Sequence, residues 1–136
     1  MQETAGLLSP LTLAFLGDGV YELLVRRTLI ERHGSMPANK LHTLTVQLVR
    51  ASAQAKVYDV LYDKLSGQEQ DILRRGRNAN STKCPKNADP GEYRKATGVE
   101  ALFGYLYLRG EQGRVEELFE RIYDEILRGD ELKAAK

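Results

Sequence analysis

Several residue types are scarce in this chain of 136 residues, and each absence narrows the class of protein. Cys84 is the only cysteine, so the sequence predicts no internal disulfide, and with only two histidines beside it a structural zinc site is not expected. No apolar run reaches membrane-spanning length, and no basic stretch precedes an apolar one at the N-terminus, so we expect neither a membrane protein nor a signal peptide. A protein of the reducing cytoplasm fits these absences.

The remaining composition is that of a globular protein, because 42% of the residues are hydrophobic and 29% are charged. A chain of this length buries a sizeable core without disulfides or structural metal. We therefore expect a single domain over residues 1–136. Residues 130–136 are expected to form a frayed tail.

Helix signals run through the whole chain and no segment is typical of a strand, so the sequence predicts an all-α fold. Ser9 and Pro10 predict a helix start, and Gly34 predicts its end. Asn39 is the expected cap of a long second helix with a bend near Ser52, and Ser66 with Glu69 forms a capping box for the third. The predicted helices cover approximately residues 10–33, 40–65, 68–79, 92–109 and 114–128.

Positive charge is concentrated in one segment of an almost neutral protein, whose net charge is +1. Residues 72–95 contain seven basic and two acidic side chains, so this segment carries +5 and the rest of the chain −4. Such a patch is a typical footprint of a polyanion partner. From charge alone, a solvated surface loop is an equally good interpretation.

Two apolar helices each contain a single acid. Asp18 is the only charged residue from Leu11 to Tyr21, and Glu100 is the only one in "ATGVEALFGYLYL", residues 96–108. A helix that is apolar all round is normally buried, and a buried unpaired carboxylate is costly. Gly98 and Gly104 lie inside the apolar helix that contains Glu100, where glycine is unfavourable unless another backbone approaches closely.

Structural explanations for these acids stay open. Asp18 could cap a helix that begins at Gly19, either acid could face water, and either could pair with an arginine such as Arg26 or Arg94. Two acids in the same unusual context nevertheless favour a shared site. Because neighbouring carboxylates repel each other, a hard divalent cation such as Mg²⁺ or Mn²⁺ is the natural third component.

The two acidic segments resemble the motifs of the ribonuclease III family. "LAFLGDGVYE", residues 13–22, is similar to its signature, and "KATGVEALFGYLYL", residues 95–108, to its second acidic motif. The family's four acids are reduced to Asp18 and Glu100, since Ala14 and Thr97 occupy the other two positions. This pattern, together with "RGRNANSTKCPKNAD" at residues 75–89, resembles Mini-ribonuclease III, the short branch that keeps only the catalytic domain.

The resemblance implies an all-helical homodimer that cuts double-stranded RNA. The residues after Glu100 are too few for the family's separate RNA-binding domain, so we expect none. The resemblance also implies that Asp18 and Glu100 bind Mg²⁺, with Mn²⁺ as a substitute, and activate the attacking water. It places Phe15 at the dimer interface. An RNA-binding scaffold that has lost its ability to cut is the alternative.

Without a separate binding domain, the catalytic domain must hold RNA itself. The residues expected to do so are Arg75, Arg77, Asn78, Lys83 and Lys86, because basic side chains contact phosphates and polar ones suit the shape of an A-form duplex. The resemblance implies a precursor of large-subunit ribosomal RNA as the substrate.

Overall fold

The computed structural model describes residues 1–79 and 84–135, and within these ranges all regular secondary structure is helical, as the sequence predicts. The chain forms α1 (Pro10–His33), α2 (Ala38–Val49), α3 (Ala51–Leu61), α4 (Gly67–Asn78), α5 (Pro90–Leu108), α6 (Gln112–Ile122) and α7 (Arg128–Ala135). Short 3-10 helices occupy Gln2–Leu7 and Tyr62–Lys64, and a π-helical segment, Tyr123–Leu127, joins α6 to α7. None of the described helices has the length and apolarity needed to cross a membrane.

The centre of the fold is α5, which is buried continuously from Ala101 to Leu106. Helices α1, α3 and α4 pack along it. The ring of Tyr21 on α1 meets the edge of Phe103 on α5 at a centroid distance of 5.4 Å, and it meets Phe119 on α6 at 5.7 Å. These aromatic contacts join three helices around one side chain that is 1% exposed.

Glycine pairs allow the helices to touch backbone to backbone. A Cβ atom at Gly17 would overlap the carbonyl oxygen of Glu100 and lie 2.9 Å from the amide nitrogen of Gly104. At the second crossing, a Cβ atom at Gly76 would lie 2.7 Å from the Cα atom of Gly98. The close approach predicted at Gly98 and Gly104 is therefore confirmed, and Gly17 and Gly76 are their partners.

The predicted signals at Ser9-Pro10, Gly34 and Ser66–Glu69 are confirmed. The Oγ atom of Ser9 accepts a hydrogen bond from the backbone of Leu11 at 3.2 Å, and Gly34 ends α1 with a φ of 65°. At the start of α4, the predicted capping box is complete, since Ser66 and Glu69 each bond the other's backbone amide. Helix α5 begins earlier than predicted, at Pro90, because Asp89 caps it.

The predicted second helix is two helices. Its cap position is Pro37 rather than Asn39, and the chain breaks at Arg50, where ψ is 158°, rather than bending near Ser52. The break is stabilised by a local side-chain contact across it: the side chain of Gln54 donates to the carbonyl of Val49 at 2.8 Å. No glycine or proline marks this position in the sequence.

Residues 130–135 differ from the expected frayed tail at 130–136, because helix α7 continues to Ala135, and Lys136 lies outside the described residues. Glu131 is 1% exposed. It accepts a hydrogen bond from the Tyr123 hydroxyl and lies 3.2 Å from Nε of Arg32 and 3.1 Å from Nε2 of His33. This buried carboxylate attaches α7 to the end of α1.

Candidate active site

The crossing of α1 and α5 brings the two predicted acids together. Leu13 and Gly17 lie against Gly104 and Glu100 respectively, so the two helices run antiparallel. Asp18 follows Gly17 directly, and its carboxylate is close enough to that of Glu100 to raise the pKa of the Glu100 carboxyl group. Asp18 lies in the middle of α1, which excludes the alternative that it caps a helix starting at Gly19.

The two acids differ in burial. Glu100 is half-buried, whereas Asp18 is exposed, so the expectation of burial is wrong for Asp18. The reason is that α1 buries only one side. Leu13, Gly17 and Tyr21 face the core, whereas Asp18 lies outside this buried side. Asp18 thus forms the solvent-facing edge of the pair and Glu100 its inner edge.

The electrostatics of the pair favour a proton on Glu100 when no cation is bound. Burial first, and the neighbouring carboxylate of Asp18 second, raise the pKa of Glu100 to about 8, while a hydrogen bond from the amide of Gln54 opposes the shift. Near neutral pH the two carboxyl groups therefore carry less than their full negative charge. A divalent cation can take the place of that proton.

In the part of the chain that the structure describes, few side chains near the two acids have an oxygen atom that could bind a metal ion. Within residues 1–79 and 84–135, no group of three or more His, Cys, Asp or Glu side chains could hold a metal ion. Ala14 is buried and offers no oxygen, and the hydroxyl of Thr97 donates to the carbonyl of Tyr93 at 3.0 Å. Two neighbouring carboxylates fit Mg²⁺, which keeps several waters and needs few protein oxygens.

Gln54 is a neighbour of the site that sequence reasoning missed. It lies on α3, is 2% exposed, and its Nε2 atom is 3.4 Å from Oε2 of Glu100. An uncharged amide in a helix gives no sequence signal of this kind. Glu22, one turn after Asp18, instead accepts a hydrogen bond from Arg26 at 3.0 Å, so Arg26 already has a carboxylate partner.

The residues predicted to bind RNA have different surroundings. Arg75 donates to the carbonyls of Gly6 at 3.0 Å and Leu8 at 3.5 Å, and it thereby attaches the N-terminal segment to α4. Arg77 donates to Asn78 at 3.1 Å. Asn78 and Lys86 are exposed, and Lys83 lies outside the described residues.

Phe15 is 85% exposed, which is unusual for a phenylalanine in the middle of a helix. Leu11, Leu23 and Ile30 are exposed on the same helix. We call these four residues the α1 apolar strip. An exposed apolar surface of this kind is typical of a protein–protein contact.

Comparison with known proteins agrees with this geometry. The family described as "Ribonuclease III domain" matches residues 11–111, a range that includes both acids. A Mini-ribonuclease 3 of Symbiobacterium thermophilum is 50% identical over 122 residues, which are 90% of this chain and 93% of that protein. A Mini-ribonuclease 3 of Staphylococcus aureus is 42% identical over 118 residues, covering 85% of this chain and 87% of the relative.

A crystal structure of a Fusobacterium nucleatum protein superimposes with a TM-score of 0.79 at 26% identity, covering 89% of this chain and 92% of that one. Fold, paired acids and relatives together define an all-α endoribonuclease. The chain belongs to the ribonuclease III family, and within it to the Mini-ribonuclease 3 proteins.

Proposed function

We propose that this protein is a Mg²⁺-dependent endonuclease that cleaves double-stranded RNA, with Asp18 and Glu100 as its catalytic acids. The observation that carries the proposal is the contact of α1 and α5 at Gly17 and Gly104, which brings the carboxyl groups of Asp18 and Glu100 near each other. Acids that serve only solubility are not placed beside each other, because the two charges repel. Mn²⁺ is expected to substitute for Mg²⁺, since both prefer oxygen ligands.

The chain's own residues hold and orient the reacting groups. Asp18 and Glu100 supply the protein oxygens, and water and phosphate oxygens complete the coordination. A bound cation supplies a water of lowered pKa and stabilises the charge that develops on the phosphoryl group. The rigid backbone contact at Gly17 and Gly104 fixes the distance between the helices that carry the acids. Glu100, on the inner side, is shielded from solvent, which strengthens its interaction with a cation.

RNA is held, in this proposal, by the basic surface at the end of α4 and the following loop. Arg77, Asn78 and Lys86 are at least partly exposed and available to phosphates or 2′-hydroxyls. Lys83 is kept as a prediction from sequence. Arg75 has the weakest support among the predicted residues, because two backbone carbonyls already accept from its guanidinium.

We also propose a homodimer that forms through the α1 apolar strip, with Phe15 in the interface. The support is the exposure of this side chain, 85%, since leaving it in water is unfavourable. Light scattering of the purified protein tests this assembly, and the mass of a single chain would contradict it. As the substrate we propose a precursor of large-subunit ribosomal RNA, processed in the cytoplasm.

The experiment that tests the proposed activity is a cleavage assay on duplex RNA. With Mg²⁺ the duplex should be cut, and with excess chelator cleavage should stop. Circular dichroism should show that the chelator leaves the helices folded, because two carboxylates are too few to form a structural metal site. Cleavage that continues in chelator would contradict the metal role, and binding without cleavage in any divalent cation would favour the scaffold alternative.

A further inference from the structure

Gln54 links two helices at the candidate active site. It projects from α3, is almost completely buried, and its Nε2 atom lies 2.8 Å from the carbonyl oxygen of Val49 and 3.4 Å from Oε2 of Glu100. One side-chain amide thus contacts both the end of α2 and the inner acid of the pair. Both neighbouring atoms are acceptors, so the nitrogen of the amide must face them.

The break between α2 and α3 provides the fixed point for this amide. In a continuous helix the carbonyl of Val49 would accept from the amide of Ala53, but Ala53 donates to Arg50 instead, at 3.1 Å. The carbonyl of Val49 is therefore available, and Gln54 occupies it. With one N–H held there, the second N–H is directed toward the carboxylate of Glu100.

The bond to the carbonyl of Val49 accounts for only one N–H of the Gln54 side chain. The Oε1 atom of Gln54 is buried and has no hydrogen-bond partner among the described residues, which costs free energy that an apolar side chain of similar volume would avoid. A buried polar group with an unsatisfied atom needs another reason to be there. The contact with Glu100 supplies that reason.

We propose that Gln54 is a positioning residue for Glu100, holding its carboxylate in the orientation in which it meets Asp18 and binds a divalent cation. The proposal rests on the proposed metal-dependent function. A donor to a metal-binding carboxylate restricts its rotation and favours its charged form. Removal of such an outer partner typically weakens metal binding by about ten- to a hundredfold.

The test compares Gln54→Leu with a matched control, Gln70→Leu. Gln70 lies on α4, and its Nε2 atom donates to the carbonyl of Tyr62 at 2.7 Å, so the control also removes a bond from a side-chain amide to a backbone carbonyl. Mg²⁺ is titrated calorimetrically into each protein without RNA, and the rise of Tm with Mg²⁺ is measured in parallel. Cleavage kinetics at low and high Mg²⁺ complete the comparison.

Both variants should have lower thermal stability, but only Gln54→Leu should bind Mg²⁺ about ten- to a hundredfold more weakly. Its kcat should fall at low Mg²⁺ and recover in part at high Mg²⁺, with KM for RNA little changed. If Gln54→Leu does not fold, Gln54→Met is measured in its place, because it also lacks both N–H groups.

The two kinds of failure are distinguishable. A wild-type protein that binds Mg²⁺ and cuts RNA, beside a Gln54→Leu variant with unchanged metal affinity, overturns the positioning role alone. A wild-type protein that neither binds Mg²⁺ nor cuts overturns the proposed function, and the positioning role with it.

Discussion

Gly17 and Gly104 determine the distance between the two helices that carry the acids. Each would place a Cβ atom against the backbone of the other helix, with the amide nitrogens of Gly104 and Gly17 at 2.9 and 3.0 Å respectively. Backbone cannot move aside as a flexible side chain can. The geometry of the Asp18–Glu100 pair therefore depends on residues that contribute no chemistry of their own.

Alanine substitutions at Gly17 and Gly19 should separate the effect of close packing on stability from the effect of helix propensity. Gly17→Ala should lower the free energy of unfolding by about 3 kcal/mol, because α1 and α5 must move apart. Gly19→Ala is the matched control on the same helix, since a Cβ atom there meets nothing within 4 Å. It should raise stability by about 0.5–1 kcal/mol through helix propensity. Urea unfolding measures both, and equal effects would contradict the close-packing account.

At this scale the acids can be predicted from the sequence and their surroundings cannot. Asp18 and Glu100 are recognisable because charge is otherwise missing from their helices. Gln54 carries no charge, and its contact with Glu100 joins residues 46 positions apart, so nothing local indicates it. Nothing local indicates the role of Gly17 either. The position of Gly104 inside an apolar helix predicts a close contact there, but it does not indicate that Gly17 is the partner.

Helix boundaries also divide into those that the sequence predicts and those that it does not. Helix ends with their own chemistry, such as Ser9-Pro10, Gly34 and the Ser66–Glu69 box, are predicted by the sequence and confirmed by the structure. The break at Arg50 and the C-terminal helix α7 are not predicted, because each is held by side-chain contacts that the helix signals of the sequence do not indicate. The carbonyl of Val49 is bonded by a side chain from the next helix, and α7 is attached through buried Glu131.

The start of α4 gives a pH-dependent prediction. Burial alone would disfavour the charged form of Glu69, but hydrogen bonds from Arg114 and Ser66 outweigh it and lower the pKa of Glu69 below its ordinary value. A lowered pKa in the folded state means that this carboxylate stabilises the fold above the pKa of the unfolded chain. The stabilisation disappears as pH falls through the folded-state pKa.

Glu69→Gln should therefore reduce the free energy of unfolding by about 2 kcal/mol near neutral pH, and the difference from wild type should shrink as the solution is acidified. Glu117→Gln is the control: its carboxylate also accepts from Arg114, at 2.7 Å, but is 58% exposed. An exposed pair contributes less than about 1 kcal/mol. A Glu69→Gln deficit that stays constant down to acid pH would contradict this assignment.

On the scale of the whole molecule, charge and apolar surface are separated. Arg77 and Asn78 lie at the end of α4 and Lys86 lies shortly before α5, whereas the α1 apolar strip lies on another helix. In the proposed function, the first surface holds RNA and the second pairs with a second copy of the chain. The net charge of +1 conceals this separation, which is why composition alone does not distinguish a binding surface from a solvated loop.

A salt titration of duplex RNA binding tests the role of the positive segment. Replacing both Arg77 and Lys86 by alanine should weaken binding regardless of RNA sequence, and it should reduce the slope of log affinity against log salt by about 0.7–0.9 for each phosphate that is no longer neutralised. Ca²⁺ replaces Mg²⁺ to limit cleavage. Arg121→Ala, an exposed cation on α6, is the control and should leave the slope unchanged. An unchanged slope in the double variant would place the RNA-binding surface elsewhere.

The central claim is that Asp18 and Glu100 form one catalytic site, and single-turnover cleavage of duplex RNA tests it most directly. Asp18→Asn and Glu100→Gln should each slow cleavage by at least about a thousandfold, because the bound cation supplies several kcal/mol of transition-state stabilisation. Both variants should stay folded with unchanged or higher Tm, since a repulsive pair is removed. Glu22→Gln, one turn from Asp18 and paired with Arg26, should cut at the wild-type rate. Near-wild-type cleavage by either Asp18→Asn or Glu100→Gln would contradict the account.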